Sequence, residues 1–342
     1  MEDGNTSWFE RLTGFRELGY AGTRDRLEIV GSRLCSKVNG ASYEIGRLET
    51  PTLAELRQRA RKLASDLPGR VKVRLISGDV QAHHKERAFS RALFQVASQF
   101  NLLEMGHPDV TPEDGVTRYH LDRTQGPACA IAAGAATIYG NYFAPAKGKS
   151  GQTRERQIDC LDEIGEALGN ANEALWQMKN GYALCSPDGL EKISSHLRHL
   201  DEGELDALRG LLKIGVHWNV EVAGSSHPPR LVSQAFCSAL PVAYGRAPAP
   251  AWKAFALLVL EAAYEATLCG AVLNAREGGS PVVLLTRLGG GAFGNDAAWI
   301  DAAIIRAIGV FEAVALEVHL VSYGIPPPEF VELARKYRPT QG

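Results

Sequence analysis

The chain reads as an α/β protein whose mainly parallel, mixed sheet carries helices on both faces, with an N-terminal extension and a helical insertion. Three observations lead to that class. Strand-like apolar runs alternate with helix-like ones, most regularly in the last third of the 342 residues, which is the order a parallel sheet with crossover helices needs. Several of the strand-like runs end on turn formers or glycine, at Gly78-Asp79, at Ser98 to Asn101 and at Gly289-Gly290-Gly291. Apolar residues make up 45% of the chain and charged residues 22%, enough for a sizeable core and too apolar for wholesale disorder.

Near the N-terminus, Leu27 to Val38 and Ala41 to Leu48 flank Asn39-Gly40 and read as a hairpin, since that dipeptide suits a tight turn with positive φ at both centres. Thr52 then caps a helix over Leu53 to Ser65. Nothing linker-like follows, so residues 1–66 form an extension packed on a main domain of residues 67–342. Val71, Val73 and Leu75 alternate with charged residues as a strand, and Ala92 to Ala97 form a second. Gly126 to Tyr139 is rich in small residues and predicts a helix starting at Pro127. Residues 144–212 are polar and helix-prone, an insertion lying beside the sheet. Val216 to Val222 and Leu231 to Ala239 read as strands, Trp252 to Asn274 as a long helix and Pro281 to Leu288 as a buried strand. A helix over Ala297 to Ile308 and a strand over Leu316 to Ser322 follow. There is no internal repeat.

Charge and cysteine usage exclude several function classes. With 37 basic and 39 acidic residues the net charge is −2, which argues against a protein held to nucleic acid by bulk positive charge. The first ten residues hold Glu2, Asp3 and Glu10 and no apolar run, so no secretory leader is expected. Glu261 and Glu265 sit at helical spacing within the most apolar stretch, Ala254 to Ala275, which suits a buried helix with one polar edge better than a bilayer span. Cys35, Cys129, Cys160, Cys185, Cys237 and Cys269 form no C-x-x-C pair and read as reduced core residues rather than zinc ligands. The expectation is a cytoplasmic protein with no membrane, nucleic-acid or metal partner.

Two segments combine residue types that carry chemistry. Leu288-Gly289-Gly290-Gly291-Ala292-Phe293-Gly294-Asn295 joins a strand to a helix. Such a loop lets backbone N–H groups approach a phosphate, or simply makes a tight turn. It has neither the Lys-Ser/Thr of a P-loop nor Rossmann spacing. The second segment runs from Asp114-Gly115-Val116 through Asp122-Arg123-Thr124-Gln125-Gly126-Pro127. Its carboxylates suit general acid–base work at a glycosidic bond, or else Asp114 caps a turn and Asp122 pairs with a neighbouring cation. Asp79 and Asn101 end strands, where most such residues only form turns. His83-His84 reads as solvated surface, because adjacent side chains diverge and no third ligand is near. Tyr139, Tyr142 and Phe143 stack on a base or belong to the core.

The order of these pieces resembles that of macrodomains, the ADP-ribose-binding fold. Val71-Lys-Val-Arg-Leu-Ile-Ser-Gly-Asp79-Val80 is similar to their opening strand and Gly-Asp-Ile turn, and Ala92-Leu-Phe-Gln-Val-Ala-Ser-Gln-Phe-Asn101 to the strand that ends in their asparagine. The resemblance covers about residues 71–323, the insertion excluded. More closely, Phe94 to Met105, Asp114-Gly-Val with Asp122-Arg-Thr-Gln-Gly-Pro127, and Leu288 to Asn295 resemble the divergent MavL-type macrodomains. Those remove ADP-ribose from arginine, including arginine on ubiquitin.

The resemblance implies a role for each matched position. Asp79 accepts from the adenine amine and Val80 lies against the ring. Gly289, Gly290, Gly291, Ala292 and Gly294 wrap the diphosphate, with Asn295 also binding the ligand and Phe293 packing on the distal ribose. Asn101 hydrogen-bonds that ribose, while Gln125 to Ala128, with Gln125 and Gly126 touching the ligand, supply the opposite wall of the phosphate cleft. The residues themselves agree with that placement: Asp122, with Asp114 as its partner, is expected to carry the catalysis at the ribose end of the cleft. Two departures matter: the first loop is not glycine-rich, and the Gln-Glu-Glu signature of poly(ADP-ribose) glycohydrolases is absent, which argues against polymer cleavage. What is implied is an ADP-ribosylarginine hydrolase that acts on a modified protein, with ADP-ribose as ligand and product and no cofactor required. The alternatives are a non-catalytic ADP-ribose reader and an O-acetyl-ADP-ribose deacetylase.

Overall fold

The computed structural model describes residues 6–225 and 228–338. The N-terminal part runs α1 (Trp8–Thr13), α2 (Tyr20–Arg24), β1 (Leu27–Val30), β2 (Arg33–Ser36), β3 (Ser42–Glu44), β4 (Arg47–Glu49) and α3 (Leu53–Ala64). Next come β5 (Lys72–Ser77), α4 (Val80–His84), β6 (Leu93–Ala97), α5 (Gln125–Ala132) and α6 (Gly134–Tyr142). The insertion holds β7 (Pro145–Ala146), β8 (Lys149–Ser150), α7 (Asp162–Leu168), β9 (Trp176–Lys179), β10 (Tyr182–Cys185), α8 (Pro187–His199) and α9 (Glu202–Gly210). The remainder is β11 (Gly215–Glu221), β12 (Leu231–Cys237), α10 (Ala249–Arg276), β13 (Val282–Leu285), α11 (Ala297–Val310), β14 (Glu317–Ser322) and α12 (Pro328–Lys336).

Seven strands form the central sheet in the order β4-β11-β12-β6-β13-β14-β5. From β12 to β5 every pairing is parallel, whereas β11 runs antiparallel to both β12 and β4. The mainly parallel, mixed sheet is therefore present, with its antiparallel part at one edge. β6 shows why the centre is parallel: Leu93, Phe94, Gln95 and Val96 are all buried, as a strand covered on both faces requires. Gln95, the polar exception, is satisfied, donating to Thr267 Oγ1 at 2.9 Å and accepting from the Thr286 N–H at 3.2 Å.

Helix α10 forms the centre of one covering layer, packed against α3, α8 and α11. It is the one helix among the described residues long and apolar enough to cross a membrane, and 89% of its most apolar window is buried inside the fold. Its two acids make the polar edge that the sequence predicts: Glu265 meets Arg57 and Arg306, and Glu261 meets Arg209. Thr52 caps α3 in a reciprocal capping box with Glu55.

Four local expectations need correction. The predicted hairpin around Asn39-Gly40 is divided, because Gly31 at φ +59° turns the chain between β1 and β2. Only Gly40, at φ +71°, is left-handed in the turn from β2 to β3. β4 then leaves this small sheet for the large one across Gly46, where a Cβ would lie 1.8 Å from the Trp218 carbonyl oxygen. Through β4 and α3, the stretch before residue 66 is woven into the central layers. The predicted helix over Gly126 to Tyr139 starts at Gln125 and breaks at Ala133 into α5 and α6. At the break Gly134 has no Cβ, so Trp8 and Leu12 can press against its backbone. The insertion is mixed rather than helical. It includes two hairpins, and Leu161, Ile164, Trp176, Ala183 and Leu190 join the main core. His83 and His84 are buried, not solvated. His84 stacks on Phe94 at 3.7 Å, donates from Nδ1 to the Val80 carbonyl and accepts at Nε2 from the Gln234 amide. Burial pushes its pKa down to about 4, so the ring is neutral.

Candidate active site

The parallel strands β5, β6, β12, β13 and β14 all point their carboxyl ends into one cleft of about 500 Å³, the place where open α/β sheets bind ligands. At the end of β5, Asp79 caps α4 by accepting from the Gln81 N–H at 2.9 Å, and it lines the cleft together with Val80. Tyr323, just past β14, is 89% exposed and stands on the same rim.

The glycine loop follows β13. Gly289 and Gly294 both take φ +68°, a conformation that favours glycine. Asn295 turns inward and ties the loop shut, its Nδ2 donating to the Leu240 and Gly289 carbonyls at 2.8 and 3.3 Å. A Cβ on Gly290 would face Ile300 and one on Gly294 would face Ala243, so these positions and Asn295 shape the loop. Gly289, Gly291, Ala292 and Phe293 face the cleft. The N–H groups of Gly291, Ala292 and Phe293 make no hydrogen bond among the described residues. Three free donors in succession are what an anion-binding concavity requires.

Phe293 belongs to an aromatic wall that the sequence reading missed. Its ring centroid lies 5.3 Å from that of Tyr182 and 5.8 Å from that of Tyr244. Tyr182 arrives on β10, from the insertion, and its hydroxyl donates to the Met105 carbonyl.

The opposite wall is acidic. Asp122 ends a 3-10 turn over Thr117–Leu121, accepts from the Thr124 N–H at 2.8 Å and lines the cleft, half-exposed. Gln125 lines it as well, but its amide is a tie: it donates to the Gln95 carbonyl at 2.9 Å and accepts from Ala97 N–H and Thr286 Oγ1. Gly126 allows α5 to pass the end of β6. A Cβ there would lie 2.1 Å from the Ala97 carbonyl oxygen and 2.5 Å from Glu104 Oε2.

Glu104 is a further cleft residue that the reading missed. It is 8% exposed and lines the cleft, with Oε1 buried and lacking a hydrogen-bond partner. Burial, and then the charge of Asp122, push its carboxyl well above the usual carboxylate range. The signal was there in the sequence, a lone acid inside Leu102-Leu103-Glu104-Met105.

Two expected site residues lie elsewhere. Asp114 is exposed and absent from the cleft lining. It accepts from the Thr111 N–H and Oγ1, both at 2.8 Å, and those bonds hold its carboxyl low. It is the turn cap, and Glu104 occupies the place beside Asp122 that Asp114 was expected to fill. Asn101 is fully buried; its Oδ1 accepts from the Leu103 N–H and its Nδ2 donates to Gln157 Oε1 at 2.8 Å. With Gly181 packed on it, Asn101 fastens the insertion to the end of β6 and does not line the cleft. Tyr139, Tyr142 and Phe143 do not line it either; Tyr142 is core, its hydroxyl donating to Glu17 at 2.8 Å.

All six cysteines are free, five of them buried. Cys129 and Cys237 are near the cleft, but burial pushes both thiols upward, which makes them poor nucleophiles. Among the described residues no group of three His, Cys, Asp or Glu could hold a metal ion. A second groove, of about 650 Å³, runs from Trp8 and Arg11 past His120 and meets the cleft at Asp79, Asp122, Arg123 and Tyr323. Asp122 thus stands where the two meet.

No protein-family model matches the chain, and no curated protein matches it. Among solved structures it is similar to poly(ADP-ribose) glycohydrolase from Deinococcus radiodurans in complex with ADP-ribose, at 16% identity over 94% of this chain and 98% of that one, with a TM-score of 0.45. It is also similar to the Thermomonospora curvata glycohydrolase bound to the inhibitor ADP-HPD, at 14% identity over 92% and 94%, with a TM-score of 0.44.

Chemically, the cleft offers the Asp79 carboxylate, free backbone donors, an aromatic wall, and the half-exposed Asp122 carboxylate near the buried Glu104 carboxyl. That series suits a long ligand with a polar ring, an anionic centre and a reacting end.

Proposed function

We propose that the cleft binds ADP-ribose and that the protein hydrolyses the glycosidic bond joining it to arginine on a modified protein. The observation that carries this reading is the run of free N–H groups at Gly291, Ala292 and Phe293, set in one continuous cleft with Asp79 and Asp122. The cleft volume of about 500 Å³ falls in the range of roughly 300–1,000 Å³ usual for small-molecule sites.

In this scheme the Asp79 carboxylate accepts from the exocyclic amine of adenine, while Val80 and Tyr323 border the ring. The loop N–H groups take the diphosphate. Phe293, Tyr182 and Tyr244 flank the distal ribose and turn its anomeric carbon toward Asp122. Asp122 orients a water, removes its proton and steadies the oxocarbenium-like charge that develops as the bond breaks. The acceptor lies in the groove beyond Asp122, and a guanidinium is the acceptor a carboxylate holds best, through paired N–H···O bonds. A binding module without activity would be served by a neutral group at that junction.

The test is release of free ADP-ribose from arginine-ADP-ribosylated proteins, modified ubiquitin among them, run beside Asp122→Ala with calorimetry of ADP-ribose binding. The expected result is release by the native protein, a fall of about 10²- to 10⁴-fold in the variant, and binding retained by both. Binding without release by the native protein would make it a reader. Neither binding nor release would overturn the reading.

A further inference from the structure

The acidic wall of the cleft contains two acids in opposite circumstances. Asp122 is half-exposed, and one of its oxygens already accepts a backbone N–H. Glu104 is more than nine-tenths buried, Oε1 has no partner, and its other oxygen is pressed toward the start of α5 at Gly126. A buried carboxylate with no donor to meet it is costly, and a buried carboxylic acid much less so.

Resting on the hydrolase reading above, we propose that Glu104 is the general acid of the reaction, entering each turnover protonated and giving its proton to the departing nitrogen. The groups that face Glu104 leave it in that state. Tyr119, from the 3-10 turn, accepts the Glu104 N–H at 3.0 Å; Cys129, on α5, accepts from the Gln125 amide; Tyr182, on β10, donates to the Met105 carbonyl. Burial pushes all three groups upward, so all three are neutral. The charge that acts on Glu104 is that of Asp122, which favours the protonated form.

The step balances. The bond between the anomeric carbon and the guanidinium nitrogen breaks, and its electron pair stays on nitrogen, giving a neutral guanidine. That guanidine is strongly basic, with a conjugate-acid pKa above about 12, and takes the Glu104 proton to become arginine. The water oxygen bonds the anomeric carbon and its proton goes to Asp122. Return of that proton from Asp122 to Glu104 resets the pair. The acid and the base are thus separated by environment alone.

Glu104→Gln keeps the size and neutrality of the acid and removes only the transferable proton. It should be compared with the native protein on two substrates: an arginine-ADP-ribosylated peptide, and ADP-ribose carrying p-nitrophenol on the same anomeric carbon, whose departure needs no proton. The expected result for the variant on the peptide is a fall in kcat of about 100-fold or more, with KM and ADP-ribose affinity unchanged and the alkaline limb of the pH–rate profile gone. The nitrophenyl substrate should be turned over at close to the native rate. Equal loss on both substrates, or an alkaline limb that persists in the variant, would overturn the assignment and leave Asp122 and the hydrolase reading standing. A native protein that releases nothing from the peptide would overturn both.

Discussion

Glu104 and Glu265 are the same residue type at similar burial, 8% and 3% exposed, in two regions that treat a carboxyl in opposite ways. On α10, Glu265 receives Arg57 Nε at 2.5 Å, a second Arg57 nitrogen at 2.8 Å and Arg306 at 2.7 Å. Burial pushes that carboxyl up, and the hydrogen bonds of the two arginines more than cancel the push and hold it below its ordinary range. Asp206 grips Arg57 from its other side, and Arg209 joins Glu261 to Glu202. At the cleft, Glu104 has burial and no compensating donor. Burial alone therefore does not mark a working group. The lack of a partner at a cleft does, because a satisfied ion network has nothing to give a ligand, while an unsatisfied carboxyl beside a cleft is held ready at a cost in stability.

Breaking the satisfied region should have the largest effect. Glu265→Ala leaves Arg57 and Arg306 with the half-exposed Asp206 as their one remaining shared anion, and removal of one partner from a buried pair costs about 3–5 kcal/mol. Urea unfolding should show that loss, while turnover per folded molecule stays at the native level. A loss below about 1 kcal/mol would mean that water replaces the missing carboxylate and that the network is decoration.

The unsatisfied region should respond with the opposite sign. A carboxyl whose folded pKa is raised holds its proton in the folded chain at pH values where the unfolded chain has lost it. The folded state then binds more protons, so stability falls as pH rises above the unfolded value of about 4.3 and keeps falling until the folded group ionises. Glu104→Gln removes that dependence. Thermal melts should show the variant and the native protein alike near pH 4, and the variant more stable near pH 7 by about 1 kcal/mol or more, the worth of a single pK unit. Gain of stability with loss of turnover in one substitution is the mark of a group retained for function.

Much of this contrast was legible in the sequence on one side and little on the other. Glu261 and Glu265 at helical spacing in an apolar stretch announce a helix with a buried polar edge, since one helix sets their positions. β5, β6, β13 and β14 were likewise legible because each is a local apolar run, and their order places the cleft at Asp79 and Gly289 through chain topology alone. The acidic wall depends on tertiary contacts. Asp114 and Asp122 are close in sequence, but the turns between them carry Asp114 to solvent, while Glu104, 18 positions before Asp122 in the chain, is folded back against Gly126. Tyr182 reaches Phe293 only through a hairpin inside a segment whose polar composition reads as helical. Asn101 looks like a ligand contact until Gln157, from the same segment, is seen to occupy its amide.

Asp114 supplies the smallest effect and a control on the comparison, for it is an acid with partners but without burial. Its carboxylate satisfies the Thr111 N–H and hydroxyl in a reciprocal cap on an exposed 3-10 turn. Asp114→Ala should cost about 0.5–1 kcal/mol, as loss of a cap does, and leave ADP-ribose affinity and turnover unchanged. The Thr111 bonds lower this carboxyl in the folded state, so its contribution is full above the unfolded pKa and fades as pH falls through the folded one. The melting difference between native and variant should therefore shrink in acid, the reverse of the Glu104→Gln pattern. A large loss of turnover in Asp114→Ala with the fold intact would move the catalytic pair back to the two aspartates and remove Glu104 from it.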